Sequence, residues 1–282
     1  MHIPTHWTKA HHLLHRADGT PWELIAWGWG EDPQQAQHCA EQRLQRALER
    51  LQRGALERER GYSYPDERPL REEILQRITA ENGVEPSALV TRNRYGAEIL
   101  NTSRMLFLDI DLPPAGIFDS LLALFGRPTT QQRTLEALRA ALQRFAATAT
   151  FRLYRTAAGY RVVALGRDFD PRAAETEALM QASATDPAFA RLCRQQESFR
   201  ARLTPKPWRF PMGLPPGRHP RDAVQQRPFS DWLADYQRQS RDYAVCHYLE
   251  SIGEGTASRE QRALLALHDE KTRCNEKELP LA

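Results

Sequence analysis

Alternating apolar and polar residues predict a hairpin followed by a helix at the start of the chain. Residues 7–15 and 21–29 alternate with a period of two, and Ala-Asp-Gly-Thr at 17–20 separates them, which predicts two strands joined by a tight turn. Asp32 and Pro33 then predict a helix start, because Asp is a favoured N-cap and Pro a favoured first helical residue. Apolar residues recur at helical spacing until Gly54. Residues 1–55 are therefore predicted to form a ββα unit.

The remaining pattern mixes strands and helices. Residues 56–87 begin with a charged, turn-rich stretch and predict a linker and connecting segment. Short apolar stretches occur at 74–75, 88–91 and 97–100. Strands are predicted at 105–111, 151–154, 160–165 and 198–204, and helices at 116–125, 130–147, 171–183, 186–195 and 228–252, with a short helix beyond 253. This order predicts an α+β core at 88–225 and a C-terminal helical segment at 226–282. The predicted fold class is α+β, with an antiparallel or mixed sheet and helices packed mainly on one face.

Composition narrows the class of protein. The 282 residues are enough for one large domain, and with 41% hydrophobic and 27% charged residues they predict a globular protein. No run of 18 apolar residues occurs and no signal-peptide pattern opens the chain, so neither a membrane span nor secretion is expected. The four cysteines form no CxxC pair, which favours reduced thiols in a cytoplasmic protein. A net charge of +3 says little about partners, but only four of the 39 basic residues are lysines, and arginine binds phosphate in a bidentate manner. The alternative is that the excess of arginine over lysine reflects a GC-rich genome.

The most informative motif is the acidic end of the strand at 105–111. Strand alternation places Asp109 and Asp111 on the same face, where their charges repel. A divalent cation such as Mg²⁺ or Mn²⁺ removes that repulsion and takes hard oxygen ligands, as in sites for phosphoryl transfer. The alternative is that both aspartates cap amides of nearby loops.

Two basic stretches follow that strand. The hairpin at 151–165 carries Arg152 and Arg155 on its first strand and Arg161 on its second, with Gly159 permitting positive φ or close approach of a ligand. The segment 197–209 supplies candidate phosphate and nucleic-acid contacts at Arg200, Arg202, Lys206 and Arg209, and Trp208 is a candidate for stacking on a base. The alternatives are a hairpin with solvated arginines and a Trp208 buried between two prolines.

The order of these motifs resembles the catalytic core of archaeo-eukaryotic primases and primase–polymerases over roughly residues 88–210. The resemblance implies a primase-like, RRM-like sheet, in which an acidic pair binds metal, a hairpin histidine follows and a third carboxylate lies on a later strand. Asp109 and Asp111 match the acidic pair, residues 156–161 match the hairpin loosely, and Arg161 stands where the family has histidine. Glu197 is the candidate third metal ligand, with Asp168 and Asp170 behind it.

These residues lead to three hypotheses. The first is a metal-dependent nucleotidyl- or phosphoryl-transfer enzyme acting on nucleotides or nucleic acid, in which Asp109, Asp111 and Glu197 hold Mg²⁺ or Mn²⁺. Arg161 and the basic residues of the later strand would then neutralise phosphate charge in the transition state. The second is a non-catalytic nucleic-acid-binding or adaptor protein, which the replaced histidine favours. The third is a structural subunit whose acidic strand supports loops.

Overall fold

The protein is described by a computed structural model over residues 3–53, 69–80, 83, 86–113, 125 and 127–282. Within these ranges the strands are β1 (His6–His15), β2 (Pro21–Gly30), β3 (Glu73–Thr79), β4 (Pro86–Arg92), β5 (Glu98–Thr102), β6 (Leu106–Asp111), β7 (Thr150–Thr156), β8 (Gly159–Leu165), β9 (Phe199–Arg202) and β10 (Cys246–Ile252). The helices are α1 (Pro33–Gln52), α2 (Thr130–Gln143), α3 (Ala174–Ala182), α4 (Pro187–Gln196), α5 (Ala223–Gln239) and α6 (Arg259–Thr272). All strand pairs within the sheets are antiparallel, which confirms the predicted α+β class. None of these helices is long and apolar enough to cross a membrane.

The N-terminal unit forms as its sequence predicts. Strands β1 and β2 pair around the turn, and the Asp32 carboxylate accepts a hydrogen bond of 2.8 Å from the Gln35 amide at the start of α1. Helix α1 packs so closely against β2 that a Cβ atom on Gly28 would lie only 2.1 Å from the backbone nitrogen of Ala40. The missing side chain at Gly28 therefore permits this close packing.

Two four-stranded sheets share one core. The first has the order β3-β4-β5-β9 and the second the order β10-β7-β8-β6. Buried side chains from both sheets and from α2, including Leu100, Leu108, Val162 and Leu142, belong to a single hydrophobic cluster. Strand β3 comes from the segment predicted to be a connection, so that segment contributes an edge strand to the first sheet.

The prediction of one long helix over 228–252 was wrong. Helix α5 ends at Gln239, and residues 246–252 form β10, which pairs with the otherwise unpaired edge of β7. Cys246 is fully buried there, and the Tyr248 ring packs edge-on against Tyr154 at 5.7 Å. Hydrogen bonding to β7 and this packing outweigh the helical pattern. The predicted helix at 116–125 lies outside the described residues, apart from Phe125.

Candidate functional site

The two aspartates of β6 lie together at the end of a central strand pair. Asp109 is opposite Arg161 of β8, and Asp111, the more exposed of the two, is opposite Gly159. Partial burial raises the pKa of Asp111, and the negative charges of Asp109 and Asp186 raise it further. The charges of Lys206 and Arg202 act in the opposite direction. The site therefore combines crowded carboxylates with nearby cations.

The third acidic side chain of this group is Asp186, the N-cap of α4. Its backbone nitrogen donates to the Asp109 carbonyl over 3.0 Å, and its carboxylate accepts from the Ala188 amide over 2.9 Å. Asp186 is not among the acidic residues predicted from the sequence, although Asp186-Pro187 carries the same helix-start signature as Asp32-Pro33. That signature reveals a cap, but only the fold brings the cap next to β6.

The carboxylates favoured from the sequence as third ligand have other roles. Glu197 follows α4 in a left-handed conformation, with φ of 49°, and forms an ion pair of 2.8 Å with Arg172. Asp168 pairs with Arg104 at 3.1 Å, and Asp170 accepts from the Arg172 amide. None of the three contributes to the pKa shift of Asp111, whereas Asp186 does.

Three basic residues near the acids, Arg202, Lys206 and Arg209, come from the end of β9 and the segment that follows it. Burial lowers the pKa of Arg202 to about 10, and the charge of Arg161 contributes to that shift. Burial also lowers the pKa of Lys206, followed by repulsion from Arg202, while Asp109 and Asp111 raise it. The charge of Arg209 lowers the pKa of both residues. These cations therefore crowd one another beside the acidic strand.

Arg202, Lys206 and Arg209 have no close ion-pair partner in the described part of the chain. The Nε atom of Arg202 is buried and has no hydrogen-bond partner. Across the described ranges, no carboxylate oxygen lies within 4.0 Å of a side-chain nitrogen of Arg202, Lys206 or Arg209. A buried, unsatisfied donor on a cation is costly, so an oxyanion bound at this position would be stabilised.

Three other predicted phosphate contacts are occupied by internal partners. The Arg200 guanidinium binds both Glu72 carboxylate oxygens at 2.7 and 2.9 Å and the Asn101 side chain at 2.6 Å. Arg152 pairs with Asp269 at 2.9 Å, and Arg155 donates to the Gly159 carbonyl over 2.8 Å. These contacts give all three arginines structural roles. Of the predicted basic residues, the structure brings Arg161, Arg202, Lys206 and Arg209 towards the acids.

Trp208 lies beside this basic group on the single turn Pro207–Arg209. Its side chain is 48% exposed, so it is not a core residue between the two prolines. The ring packs edge-on against Tyr95 with a centroid distance of 4.9 Å, and the Lys206 ammonium is 5.7 Å from its centroid. An exposed aromatic face next to cations is suited to stacking on a nucleobase.

Gly159 has a structural function at the end of the acidic strand. A Cβ at this position would lie 1.8 Å from the Ile110 carbonyl oxygen, so the glycine permits close approach of β6 rather than of a ligand. We expect Gly159→Ala to destabilise the protein by about 1–3 kcal/mol, because β6 and β8 must separate. Urea unfolding measures this change. Gly213→Ala is the matched control, since its added Cβ meets nothing within 4 Å. Equal stability of the two variants would contradict this role.

The residues present fit a metal only in part. Within the described part of the chain, no group of three or more His, Cys, Asp or Glu side chains is arranged to hold a metal ion. Mg²⁺, however, commonly binds one or two carboxylates and completes its shell with water and substrate phosphates. Asp109 and Asp111 therefore fit a divalent cation that arrives together with a phosphate ligand.

No protein-family model, curated protein or solved structure matches this chain. The resemblance to primases therefore depends on the motifs themselves.

Proposed function

We propose that this protein is a metal-dependent enzyme that transfers a nucleotidyl or phosphoryl group of a nucleotide or nucleic acid. The observation that carries the proposal is a crowded pair of carboxylates next to cations that have no close ion-pair partner. Asp109 and Asp111 repel each other, while Arg202 and Lys206 crowd each other without an ion-pair partner within 4.0 Å in the described residues.

A complex of a divalent cation with a phosphate chain would provide a partner for the acidic and for the basic residues of the site at the same time. The cation compensates the carboxylates, and the phosphate oxygens accept hydrogen bonds from the guanidinium and ammonium groups. A cation bound alone would leave Arg202 and Lys206 without a close anionic partner. A phosphate bound alone would be repelled by the carboxylates of Asp109 and Asp111. The site is therefore expected to bind the two together more tightly than either alone.

Each residue of the site has a separate role in the proposed reaction. A divalent cation bound there would supply Lewis-acid chemistry at a phosphoryl oxygen. Asp109 and Asp111 hold it at the end of β6. Arg202 and Lys206 contact the phosphates and stabilise negative charge that develops in the transition state, with Arg161 and Arg209 adding to the local positive potential. Trp208 offers its exposed face to the base.

Manganese and inorganic triphosphate test the proposal whatever base the natural ligand carries. We expect the two together to raise the melting temperature of the wild type, because a ligand at a hundred times its Kd adds about 2.7 kcal/mol of stability. Asp109→Asn/Asp111→Asn should show no such rise. The control is Asp231→Asn/Asp235→Asn, which removes two exposed aspartates from α5 and should respond like the wild type. A wild type that does not respond would refute the proposal.

The second candidate is nucleic-acid binding without catalysis. It is favoured by the exposed Trp208 ring beside Lys206 and by Arg161 in place of the hairpin histidine. Salt-sensitive binding of a single-stranded oligonucleotide that is unchanged in Asp109→Asn/Asp111→Asn would favour this candidate. Binding that requires Mn²⁺ and both aspartates would favour the enzyme.

A further inference from the structure

A series of buried polar side chains lies behind Arg161. The Arg161 side chain is only 3% exposed, and its Nη1 donates to the Arg202 carbonyl over 2.8 Å. The same nitrogen is 3.4 Å from Nε2 of His268, a fully buried residue of α6. His268 Nδ1 is 2.9 Å from the Asp269 carboxylate. The series thus joins α6 to β8 and ends beside the phosphate-facing cations.

Asp269 is itself held by groups of β7. Tyr154 donates its hydroxyl to one carboxylate oxygen over 2.8 Å, and Arg152 binds the other at 2.9 Å. Arg152 Nε also donates to the Tyr154 hydroxyl over 2.8 Å. Burial opposes ionisation of Asp269, but the hydrogen bonds and nearby cations outweigh it and lower the pKa of this carboxyl. Asp269 is therefore an ionised acceptor with a fixed orientation.

This acceptor determines the tautomer of His268. Burial lowers the pKa of His268, against the opposing effect of Asp269, so the imidazole is neutral. Its one proton lies on Nδ1, where the ionised carboxylate accepts it, and Nε2 presents a lone pair to Arg161. The imidazole also packs against the rings of Tyr154 and Phe107, with centroid distances of 5.2 and 5.7 Å, and these contacts fix the orientation of its plane.

The charged neighbours of Arg161 do not fix the position of its guanidinium, because one attracts it and another repels it. Asp109 lies opposite it on β6, while the Arg202 guanidinium repels it. The Arg202 carbonyl and His268 Nε2 are neutral acceptors that attach one Arg161 nitrogen to β9 and α6. They hold this guanidinium beside the like charge of Arg202, and an anion bound next to Arg202 would offset the repulsion.

We infer that His268, oriented by Asp269, is a positioning residue that holds the Arg161 guanidinium beside Arg202, where the charge of Arg161 adds to that of Arg202 at a bound phosphate. This inference rests on the proposed phosphate-binding role of the site. It assigns to α6, outside the span that resembles primases, a part in arranging the site. It also explains how arginine functions at a position where the resemblance expects histidine.

Two amide substitutions separate the two hydrogen bonds of His268. In His268→Gln the side-chain amide reaches the position of Nε2 and offers an acceptor to Arg161. In His268→Asn it reaches only the position of Nδ1 and retains the bond to Asp269. We expect His268→Gln to keep the wild-type affinity for manganese triphosphate and His268→Asn to lose about tenfold, as expected for loss of one hydrogen bond to a charged group. Isothermal titration measures both affinities, and melting temperatures report any shared loss of stability.

The outcomes separate the inference from the proposed function. Equal losses of affinity in both variants, or none in either, would overturn the positioning role. A ligand-free measurement tests the same point if the wild type binds no manganese triphosphate or a variant does not fold. In ¹⁵N spectra of the wild type, His268 should carry its proton on Nδ1 and the Arg161 guanidinium protons should exchange slowly. A proton on Nε2, or fast exchange at Arg161, would overturn the inference whatever the ligand does.

Discussion

Glu72→Ala is expected to destabilise the protein by about 3–5 kcal/mol, which is the cost of leaving a buried charge without its partner. Glu72 and Arg200 are both 7% exposed in their side chains and form a two-oxygen ion pair. Thr91 donates its hydroxyl to the same carboxylate over 2.6 Å. Removal of Glu72 therefore leaves the buried guanidinium with only the neutral Asn101 side chain as an acceptor, and the buried Thr91 hydroxyl loses its acceptor.

Chemical denaturation of Glu72→Ala and of Glu177→Ala measures this effect against a matched control. Glu177 also pairs with an arginine, Arg194, but both side chains of that pair are nearly half exposed. An exposed pair contributes about 0–1 kcal/mol, so the control should unfold almost like the wild type. A loss in Glu72→Ala no larger than in the control would mean that the Arg200 pair is not what joins β9 to the segment before β3.

Arg202→Met is expected to have opposite effects on stability and binding. The substitution removes a cation that has a buried, unpaired Nε and is repelled by Arg161 and Arg209. We expect a gain of about 1–3 kcal/mol in unfolding free energy, because methionine fills much of the same volume without an unsatisfied donor. The same change should weaken binding of manganese triphosphate by about a hundredfold, as for loss of a charge-assisted contact. A binding residue that lowers the stability of the free protein is a common trade-off in functional sites.

Denaturation and titration calorimetry on the same preparation check both effects. Arg238→Met is the control, because Arg238 is 72% exposed in its side chain and pairs only with its helical neighbour Asp235 in the described structure. It should change neither quantity appreciably. A destabilised Arg202→Met would show that this arginine contributes to the fold, and unchanged affinity would remove it from the site.

Arg200 and Arg202 show how far sequence reasoning reaches in this protein. Alternation in the strand correctly predicts that the two belong to one strand, but it predicts the same phosphate-binding role for both. The structure separates them, because Glu72, distant by 128 positions in the chain, pairs with Arg200, while Arg202 lies near Arg161 and Asp109. Nothing within a few residues of either arginine distinguishes them.

The sequence by itself determined the elements whose stability comes from near neighbours. These include the β1–β2 hairpin, the capped start of α1, the acidic strand β6 and the β7–β8 hairpin. Turn residues, caps and alternation are local signals, so each can be recognised from a short stretch of chain.

Only the tertiary structure decided the features that depend on partners far away in the chain. Residues 246–252 are a strand because the edge of β7 is available to them, and Asp186 joins the acids because the loop before α4 bonds to β6. His268 contacts Arg161 across 107 positions. The folded chain determines which surfaces meet, and so which partner, burial and charge state a side chain has. The local sequence pattern does not contain this information.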